Sequence, residues 1–298
     1  MSGSDKRLAR MTQLWPTIDF EDFFNRKVKT QGYYNPGFDT WQMLQCTSDG
    51  WRKETESVAN NRMLLSIHHP YVVPWKSLGR DQSSNFLDPN QAARSTSLQW
   101  LTDSVSRAKE QNAQFVLTHL THGSGKPTPE QAENLASRSV ESIARISESF
   151  NMPIHIEYLG YHPSFHLPEK FISALEDYPN LGLCLDTGHL NRWAQIHNMD
   201  PYQAASKLSP LIESVHLWNT SSNLEYRHYG HVPVHNSIDG VNGYISVERI
   251  LQTIAPAKHP ITIIFEPSIH SKVEEAFITE GMLWIKHLWT NLQDHAND

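Results

Sequence analysis

The chain has 298 residues, and 25 Lys and Arg residues stand against 32 Asp and Glu residues, which gives a formal net charge of −7. This balance excludes a general electrostatic attraction to nucleic acid or to an anionic membrane, although a local basic groove stays open. The polar start shows no secretion signal, and no apolar run approaches the roughly 20 residues that span a bilayer. The two cysteines, Cys46 and Cys184, form no CxxC motif, so we expect a reducing compartment. Together these features predict a cytoplasmic protein without membrane association.

Short apolar runs typical of β-strands alternate with helical patterns along the chain. The predicted strands, after a weaker first candidate at residues 8–16, are residues 40–46, 63–69, 114–120, 152–159, 181–187, 212–219 and 261–267. The predicted helices are residues 91–112, 129–149, 168–178, 201–208, 247–255 and 273–291. Thr128, Pro129 and Gln131 form a capping-box start for the second of these helices. Residues 219–244 are predicted to form a long functional loop.

The alternation of strands and helices predicts an α/β fold. Right-handed βαβ units give a parallel sheet, and about eight of them close into a (β/α)8 TIM barrel. The main rival is an open doubly wound sheet, which normally carries a glycine-rich phosphate loop after an early strand, and none is present. We find no linker or repeat that divides the chain. We therefore predict a single TIM barrel domain over residues 1–298, with residues 1–37 as an N-terminal extension and first strand.

Four of the predicted strands end in a side chain that can bind a metal. These side chains are Glu157, Asp186, His216 and Glu266. In a parallel barrel the C-terminal ends of all strands meet at one rim, so we expect the four groups to converge there. Oxygen ligands with one imidazole suit a divalent ion such as Mn, Zn, Mg or Co. For any one acid alone, a buried ion pair or a helix cap is the competing interpretation.

A second set of imidazoles lies near the same strand ends. His68 and His119 end two earlier strands, His189 follows Asp186 by three residues, and His231 lies in the predicted loop. These side chains indicate one or two further metal positions, with Glu157 as a bridging ligand, so that one to three ions are expected. The sequence leaves open whether His231 or His235 serves as the loop ligand.

The sequence resembles the xylose isomerase-like TIM barrel superfamily, in the branch that contains endonuclease IV and the sugar isomerases and epimerases. The resemblance covers roughly residues 38 to 290, and its most specific pieces are residues 184–189 (Cys-Leu-Asp-Thr-Gly-His), 215–217 and 265–266. It implies that the four strand-end groups are the common metal ligands. It also implies that His68 and His119 bind an additional metal, and that His189 and His231 bind a third.

The chain departs from this family pattern at two places. Tyr229 stands two residues before His231, where the endonuclease-like branch has an aspartate. The family's glycine-rich stretch after the Glu157 strand is replaced by residues 158–163, with the sequence Tyr-Leu-Gly-Tyr-His-Pro. The second departure implies a different substrate.

Three functions are compatible with these residues. The first is isomerisation or epimerisation of a small sugar or related hydroxy-carbonyl compound through a metal-stabilised enediolate, with Glu157 and Glu266 as the catalytic acid and base. The second is an endonuclease IV-like hydrolysis of phosphodiesters at abasic DNA, and the third is a non-catalytic barrel that binds a metal or ligand. A carbohydrate-type small molecule is the expected partner, nucleic acid the less favoured one, and a homo-oligomer stays open. The substrate-binding candidates are Tyr71, His189, Trp218 and Arg227.

Overall fold

The computed structural model describes residues 8–10, 32–34, 40–43, 64–69, 84–121, 125–256, 259–266 and 275–296. Tyr71 and Cys46 lie outside these residues, so the predicted substrate-binding role of Tyr71 stays a prediction.

The described strands form one sheet whose order is β1-β9-β8-β7-β6-β5-β4-β3-β2. Their bounds are β1 Leu8–Arg10, β2 Gly32–Tyr34, β3 Thr40–Met43, β4 Leu64–His68, β5 Phe115–His119, β6 Ile154–Tyr158, β7 Leu181–Asp186, β8 Ile212–Leu217 and β9 Thr262–Phe265. Every neighbouring pair is parallel except β2 and β3. All eight predicted strands are therefore present and mutually parallel. The short antiparallel strand β2 is an addition that the sequence did not predict.

The sheet curls back on itself. Cα atoms of β1 lie within 8 Å of Cα atoms of β3, at the other end of the parallel row. An α/β sheet that curls in this way, with helices between its strands, is a TIM barrel. The predicted fold class is confirmed.

Eight helices are described between and after the strands. Their bounds are α1 Gln91–Glu110, α2 Pro129–Phe150, α3 Pro168–Leu175, α4 Thr187–His197, α5 Pro201–Leu208, α6 Asn223–Tyr229, α7 Val247–Ile254 and α8 Glu275–Ala296. The capping box of α2 is formed as predicted, since Thr128 and Gln131 bond to each other's backbone N–H groups. None of the described helices is long and apolar enough to cross a bilayer.

Two of these helices were not predicted. Helix α4 begins directly after β7, with Asp186 accepting a hydrogen bond from the His189 N–H as its N-cap. A strand that passes into a helix without a loop leaves no turn residue to mark the boundary. Helix α6 lies inside the stretch predicted to be a long loop, so that part of the prediction was wrong. It is short and polar, and its Leu224 is 77% exposed, so it lacks the apolar periodicity that reveals longer helices.

The strand side chains alternate between two environments. Those on the outer face, such as Ile156, Leu183 and Ile263, pack against the helices in the main core. Those on the inner face fill the barrel, where the ring of His155 stacks on Phe115 with centroids 3.9 Å apart. Because alternation is strict along a strand, the next inward residue above His155 is the strand-end acid of β6.

Candidate metal centre

The register of the sheet brings the strand-end ligands to one rim. On β5 and β6, His119 is the direct neighbour of Glu157. On β7 and β8, Asp186 is the direct neighbour of His216. Glu266 follows β9 directly, and its N–H donates to the carbonyl oxygen of Leu217 at 2.9 Å. Paired residues of neighbouring parallel strands point to the same side, so these side chains all enter the barrel mouth.

A register shift between β7 and β8 is necessary for this convergence. Leu183 pairs with Ile212, but the next residue, Cys184, pairs with Ser214, so one residue of β8 is passed over. Without the shift, Asp186 would pair with Val215, whose side chain faces the helices. The irregularity therefore turns the His216 imidazole into the barrel beside Asp186.

The imidazole of His216 lies at the centre of the cluster. Its Nδ1 is 3.0 Å from Oε2 of Glu266 and 3.5 Å from Oε2 of Glu157. The same nitrogen is 3.7 Å from Oδ2 of Asp186. Ligand atoms held at right angles on one divalent ion, with bonds of about 2.1 Å, lie roughly 3 Å apart. The ligand atoms of Glu157, Asp186 and His216 all lie within 4.8 Å of one another, which fits a shared cation, and Glu266 approaches the same imidazole nitrogen.

The hydrogen-bond geometry of the buried His216 ring supports that fit. The residue is fully buried, yet neither ring nitrogen makes a well-formed hydrogen bond with any described residue. A buried polar group without a partner costs about 1–3 kcal/mol. A metal bond to one nitrogen removes that cost, so the residues present fit a divalent ion.

A second group of donors meets the same glutamate from the β4 and β5 side. Nε2 of His119 is 3.1 Å and Nε2 of His68 is 3.7 Å from Oε2 of Glu157. Nδ1 of His68 lies 2.9 Å from the carbonyl oxygen of His69, which fixes the hydrogen on Nδ1 and leaves Nε2 free to act as a ligand. The ligand atoms of His68, His119 and Glu157 lie within 4.8 Å of one another. Glu157 thus belongs to both groups, as a bridging ligand would.

Two further histidines stand at the edge of the cluster. Nε2 of His189 is 3.5 Å from Oε1 of Glu157. Nδ1 of His231 donates to the backbone oxygen of Glu266 at 3.0 Å, so only its Nε2 stays available to an ion. His235 instead stacks on Phe277, with ring centroids 4.0 Å apart, in helix α8. Of the two loop histidines, His231 is the one that faces the cluster.

The carboxyl groups of the centre resist simultaneous ionisation. Burial, followed by repulsion from Glu157 and Glu266, raises the pKa of Asp186 well above its usual range. Burial also raises the pKa of Glu266. Burial acts in the same direction on Glu157, but the neighbouring histidines, His119 foremost, outweigh it and hold its pKa well below its usual range. A divalent ion relieves this repulsion because it favours the charged form of every ligand.

Trp218 holds the Asp186 carboxylate in place. Its Nε1 donates to Oδ2 of Asp186 at 2.6 Å, while the His189 N–H donates to Oδ1 at 2.7 Å. The indole is fully buried, with one face stacked on His231 at 3.8 Å. On Gly188 an added Cβ would lie 2.2 Å from the ring, so only glycine fits there. A substrate would meet the predicted substrate-binding face of Trp218 only after His231 moves.

The outer wall of the centre contains residues that were not predicted from the sequence. Tyr161, after β6, lies edge-on to His189 with centroids 5.5 Å apart. The ring of Tyr226 on α6 is 5.9 Å from that of His231. The guanidinium carbon of Arg192 is 3.8 Å from the Tyr226 ring centroid and 5.1 Å from that of Tyr161. The i, i+3 spacing of His189 and Arg192 would have placed both side chains on one helix face if helix α4 had been predicted.

Arg227, the predicted substrate-binding arginine, takes a different position. It lies on α6 with an exposed side chain, and none of the described contacts links it to the ligand cluster. Its predicted role stays a prediction, as do the catalytic and metal-binding roles assigned from the sequence. The structure does bring together the four strand-end groups and the four additional histidines.

Fold and site together define a parallel (β/α)8 barrel with a candidate metal centre at the C-terminal ends of its strands. The xylose isomerase-like TIM barrel family model matches residues 35–288, and the chain belongs to that family. The family predicted from the sequence is thereby confirmed. No curated protein sequence matches the chain.

Several solved structures share the fold at low sequence identity. A D-tagatose 3-epimerase-like protein has a TM-score of 0.62 and 16% identity, covering 98% of this chain and 100% of that one. An L-ribulose 3-epimerase has a TM-score of 0.62 and 14% identity, covering 88% of this chain and 87% of that one. A xylose isomerase-like TIM barrel protein from Mycobacterium smegmatis in complex with magnesium has a TM-score of 0.56 and 16% identity. The match covers 83% of this chain and 80% of that one.

Proposed function

We propose that this protein is a divalent-metal-dependent isomerase or epimerase that acts on a small sugar or related hydroxy-carbonyl compound. The reaction is the removal of a proton from the carbon next to a carbonyl group and its return to the enediolate. Depending on the carbon and face that receive the proton, the product is an isomer or an epimer. The similarity to the two sugar 3-epimerase folds supports this choice of substrate class.

The observation that carries the proposal is the approach of two glutamates, from strands that are not neighbours, to one imidazole nitrogen. Glu157 comes from β6 and Glu266 follows β9, with β7 and β8 between them. Both carboxylates nevertheless lie within 3.5 Å of Nδ1 of His216. A substrate carbon held beside an ion at this nitrogen would lie within reach of both carboxylates.

That arrangement provides the two groups that a proton-transfer reaction needs. Glu157 removes the proton from one side of the carbon, and Glu266 returns a proton from the other. A bound divalent ion supplies a Lewis acid, which stabilises the negative charge on the substrate oxygens. His189, whose Nε2 is 3.5 Å from Glu157, orients a substrate hydroxyl group. Tyr161 and Trp218 restrict the access of water from the loop side.

Solvent deuterium exchange tests the proposal. Purified protein loaded with Mn²⁺ is incubated with a panel of ketoses in D₂O, and incorporation is followed by NMR. We expect exchange next to the carbonyl carbon of at least one ketose. In E157Q and E266Q the rate should fall about 100-fold or more, since a positioned acid or base contributes about 10²–10⁴-fold.

A matched substitution controls for general effects of losing a glutamate. Glu213 lies on β8 near His259, at the end of the strand away from His216. The E213Q variant should therefore catalyse deuterium exchange at the wild-type rate. The metal content of each variant is measured alongside, which separates loss of the ion from loss of the proton acceptor. Absence of exchange across the whole panel with metal bound would contradict the proposal.

A second candidate function, metal-dependent phosphodiester hydrolysis, is favoured by one observation. The donors of His68, His119 and Glu157 form a second ligand group that shares Glu157 with the first. Two ions bridged by a carboxylate are typical of phosphodiesterase sites. Nicking of abasic DNA in the presence of Zn²⁺, without deuterium exchange on any ketose, would reverse our ranking. Metal binding without either activity would indicate a non-catalytic barrel.

A further inference from the structure

We propose that Arg192, together with the hydroxyl groups of Tyr161 and Tyr226, binds an anionic group of the substrate, a carboxylate or a phosphate. The inference rests on the proposed function, because it assigns the substrate end that lies away from the reacting carbon. The pocket that these three side chains form is here called the anion pocket.

The position of the anion pocket follows from a chain of contacts. Nε2 of His189 lies 3.5 Å from the Glu157 carboxylate, and the His189 ring meets the edge of Tyr161. The guanidinium group of Arg192 in turn lies 5.1 Å from the centroid of the Tyr161 ring. The side chains of His189 and Tyr161 therefore lie between Arg192 and Glu157. Arg192 is on the side where the loop after β6 and helix α6 face each other. A substrate whose carbonyl end lies at His216 directs its other end toward this pocket.

The surroundings of Arg192 leave hydrogen-bond donors for a ligand. Its Nε donates to Oδ1 of Asn223 at 3.1 Å, and its plane lies against the ring of Tyr226. No described carboxylate lies within ion-pairing distance of the guanidinium group, although the side chain is half-buried. Arginine carries five N–H donors in a fixed planar arrangement that matches a carboxylate or a phosphate. The contact with Tyr226 restrains the group, which also hydrogen-bonds to the Tyr226 hydroxyl and keeps its remaining N–H groups for a ligand.

Charge complementarity points to the same ligand class. The centre itself is lined by Glu157, Asp186 and Glu266, which repel a substrate anion. A positive group just outside them attracts the anionic end and keeps it away from the carboxylates, which fixes the direction in which the substrate enters. The phenols of Tyr161 and Tyr226 stay protonated near neutral pH and add two donors without charge. A neutral sugar would leave these donors without a ligand partner, so the pocket selects against it.

The experiment compares three probes that share a ketose head. They are fructose, fructose 6-phosphate and fructuronate, which end in a hydroxyl, a phosphate and a carboxylate. Binding to the Mn²⁺-loaded protein is measured by calorimetry, and kcat/KM is measured by deuterium exchange. We expect at least one anionic probe to bind about 10- to 100-fold more tightly than fructose, as charge-assisted hydrogen bonds allow. The probe that shows this preference distinguishes a carboxylate from a phosphate.

Variants at two arginines make the assignment specific. In R192M the preference for the anion should disappear, and in R192K part of it should return because the charge is restored. Arg249 provides the matched control, since it also stacks on a tyrosine, Tyr202, at 3.9 Å, but on helix α7. R249M should keep the wild-type preference.

The outcomes separate this inference from the proposed function. Equal affinity of the wild type for all three probes, or an anion preference that survives in R192M, would overturn the anion pocket. Absence of deuterium exchange with every probe and across the ketose panel, combined with an Arg192-dependent affinity for an anion, would overturn the proposed reaction and leave the anion pocket supported. An R192M protein that fails to fold is replaced by R192K and R192Q in the same binding comparison.

Discussion

Asp186 illustrates how one side chain serves three purposes in this barrel. Its carboxylate caps helix α4 through the His189 N–H, accepts the indole N–H of Trp218, and lies 3.7 Å from Nδ1 of His216. The two donors fix the orientation of both oxygens. Groups that orient a metal ligand in this way typically change metal affinity 10- to 100-fold when they are removed.

Replacing Trp218 tests this positioning role. W218F removes the N–H donor and keeps most of the apolar volume, so the affinity for Mn²⁺ should fall about 10- to 100-fold, as measured by calorimetry. The matched control is W193F. Trp193 is equally buried, but its Nε1 has no hydrogen-bond partner among the described residues, so that variant should bind Mn²⁺ like the wild type. Equal losses in both variants would mean that the indole N–H has no specific effect.

At the scale of elements, the close packing of α4 against β8 positions the candidate ligands Asp186 and His216. Thr187, the first residue of α4, donates from its hydroxyl to the backbone oxygen of Trp218 at 2.6 Å. Gly188 then lets the helix approach the indole ring without a clash. The start of α4 and the end of β8 therefore behave as one unit that carries Asp186 and His216.

A methyl group at position 188 should separate these two elements. G188A places Cβ 2.2 Å from the Trp218 ring, so the indole must shift. We expect a loss of about 1–3 kcal/mol in unfolding free energy, as for other overpacked cores, together with weaker Mn²⁺ binding.

G281A is the control for this effect, because its Cβ would lie 1.9 Å from the backbone oxygen of Val234, beside helix α8. It should destabilise the protein while leaving the Mn²⁺ affinity unchanged. A G188A protein with wild-type metal affinity would contradict the role given to the contact.

Particular elements also show what the sequence could and could not predict. The eight parallel strands and the convergence of the four strand-end groups were predictable, because each of these groups ends a short apolar run. The pairing of Asp186 with His216 was not, because it depends on the register shift opposite Leu183. The contact of Trp218 with Asp186 and the position of Arg192 were not predicted for a similar reason. Their roles follow from how α4 and α6 pack, and α6 has too little apolar surface to be recognised from its sequence.

At the scale of the whole molecule, buried histidines make stability depend on pH. Burial, partly offset by a hydrogen bond with Gly125, lowers the pKa of His162, and burial lowers that of His155 to about 3. In the unfolded chain these imidazoles titrate near pH 6.5. Between the two pKa values the unfolded state binds more protons than the folded state. The contribution of these two histidines to the free energy of unfolding therefore falls as the pH decreases below about 6.5.

The variant H162N isolates one of these groups. Asparagine cannot titrate, but its side-chain oxygen can still accept the Ser164 N–H, which lies 3.2 Å from Nδ1 of His162. Urea unfolding at pH 7 and pH 5 should show a smaller loss of stability in H162N than in the wild type. The difference is at most about 1.4 kcal/mol per pH unit for one group. H287N, on the exposed face of α8, should lose as much stability between pH 7 and pH 5 as the wild type. An equally large loss in H162N would contradict the role given to His162.

The central claim is that Glu157, Asp186, His216 and Glu266 share one cation. Anomalous diffraction from crystals grown with Mn²⁺ tests it most directly, because the signal locates the ion without reference to activity. The account predicts a strong peak about 2.1 Å from Nδ1 of His216 and from an oxygen of each carboxylate. A peak elsewhere, or no peak among these groups at saturating Mn²⁺, would contradict it.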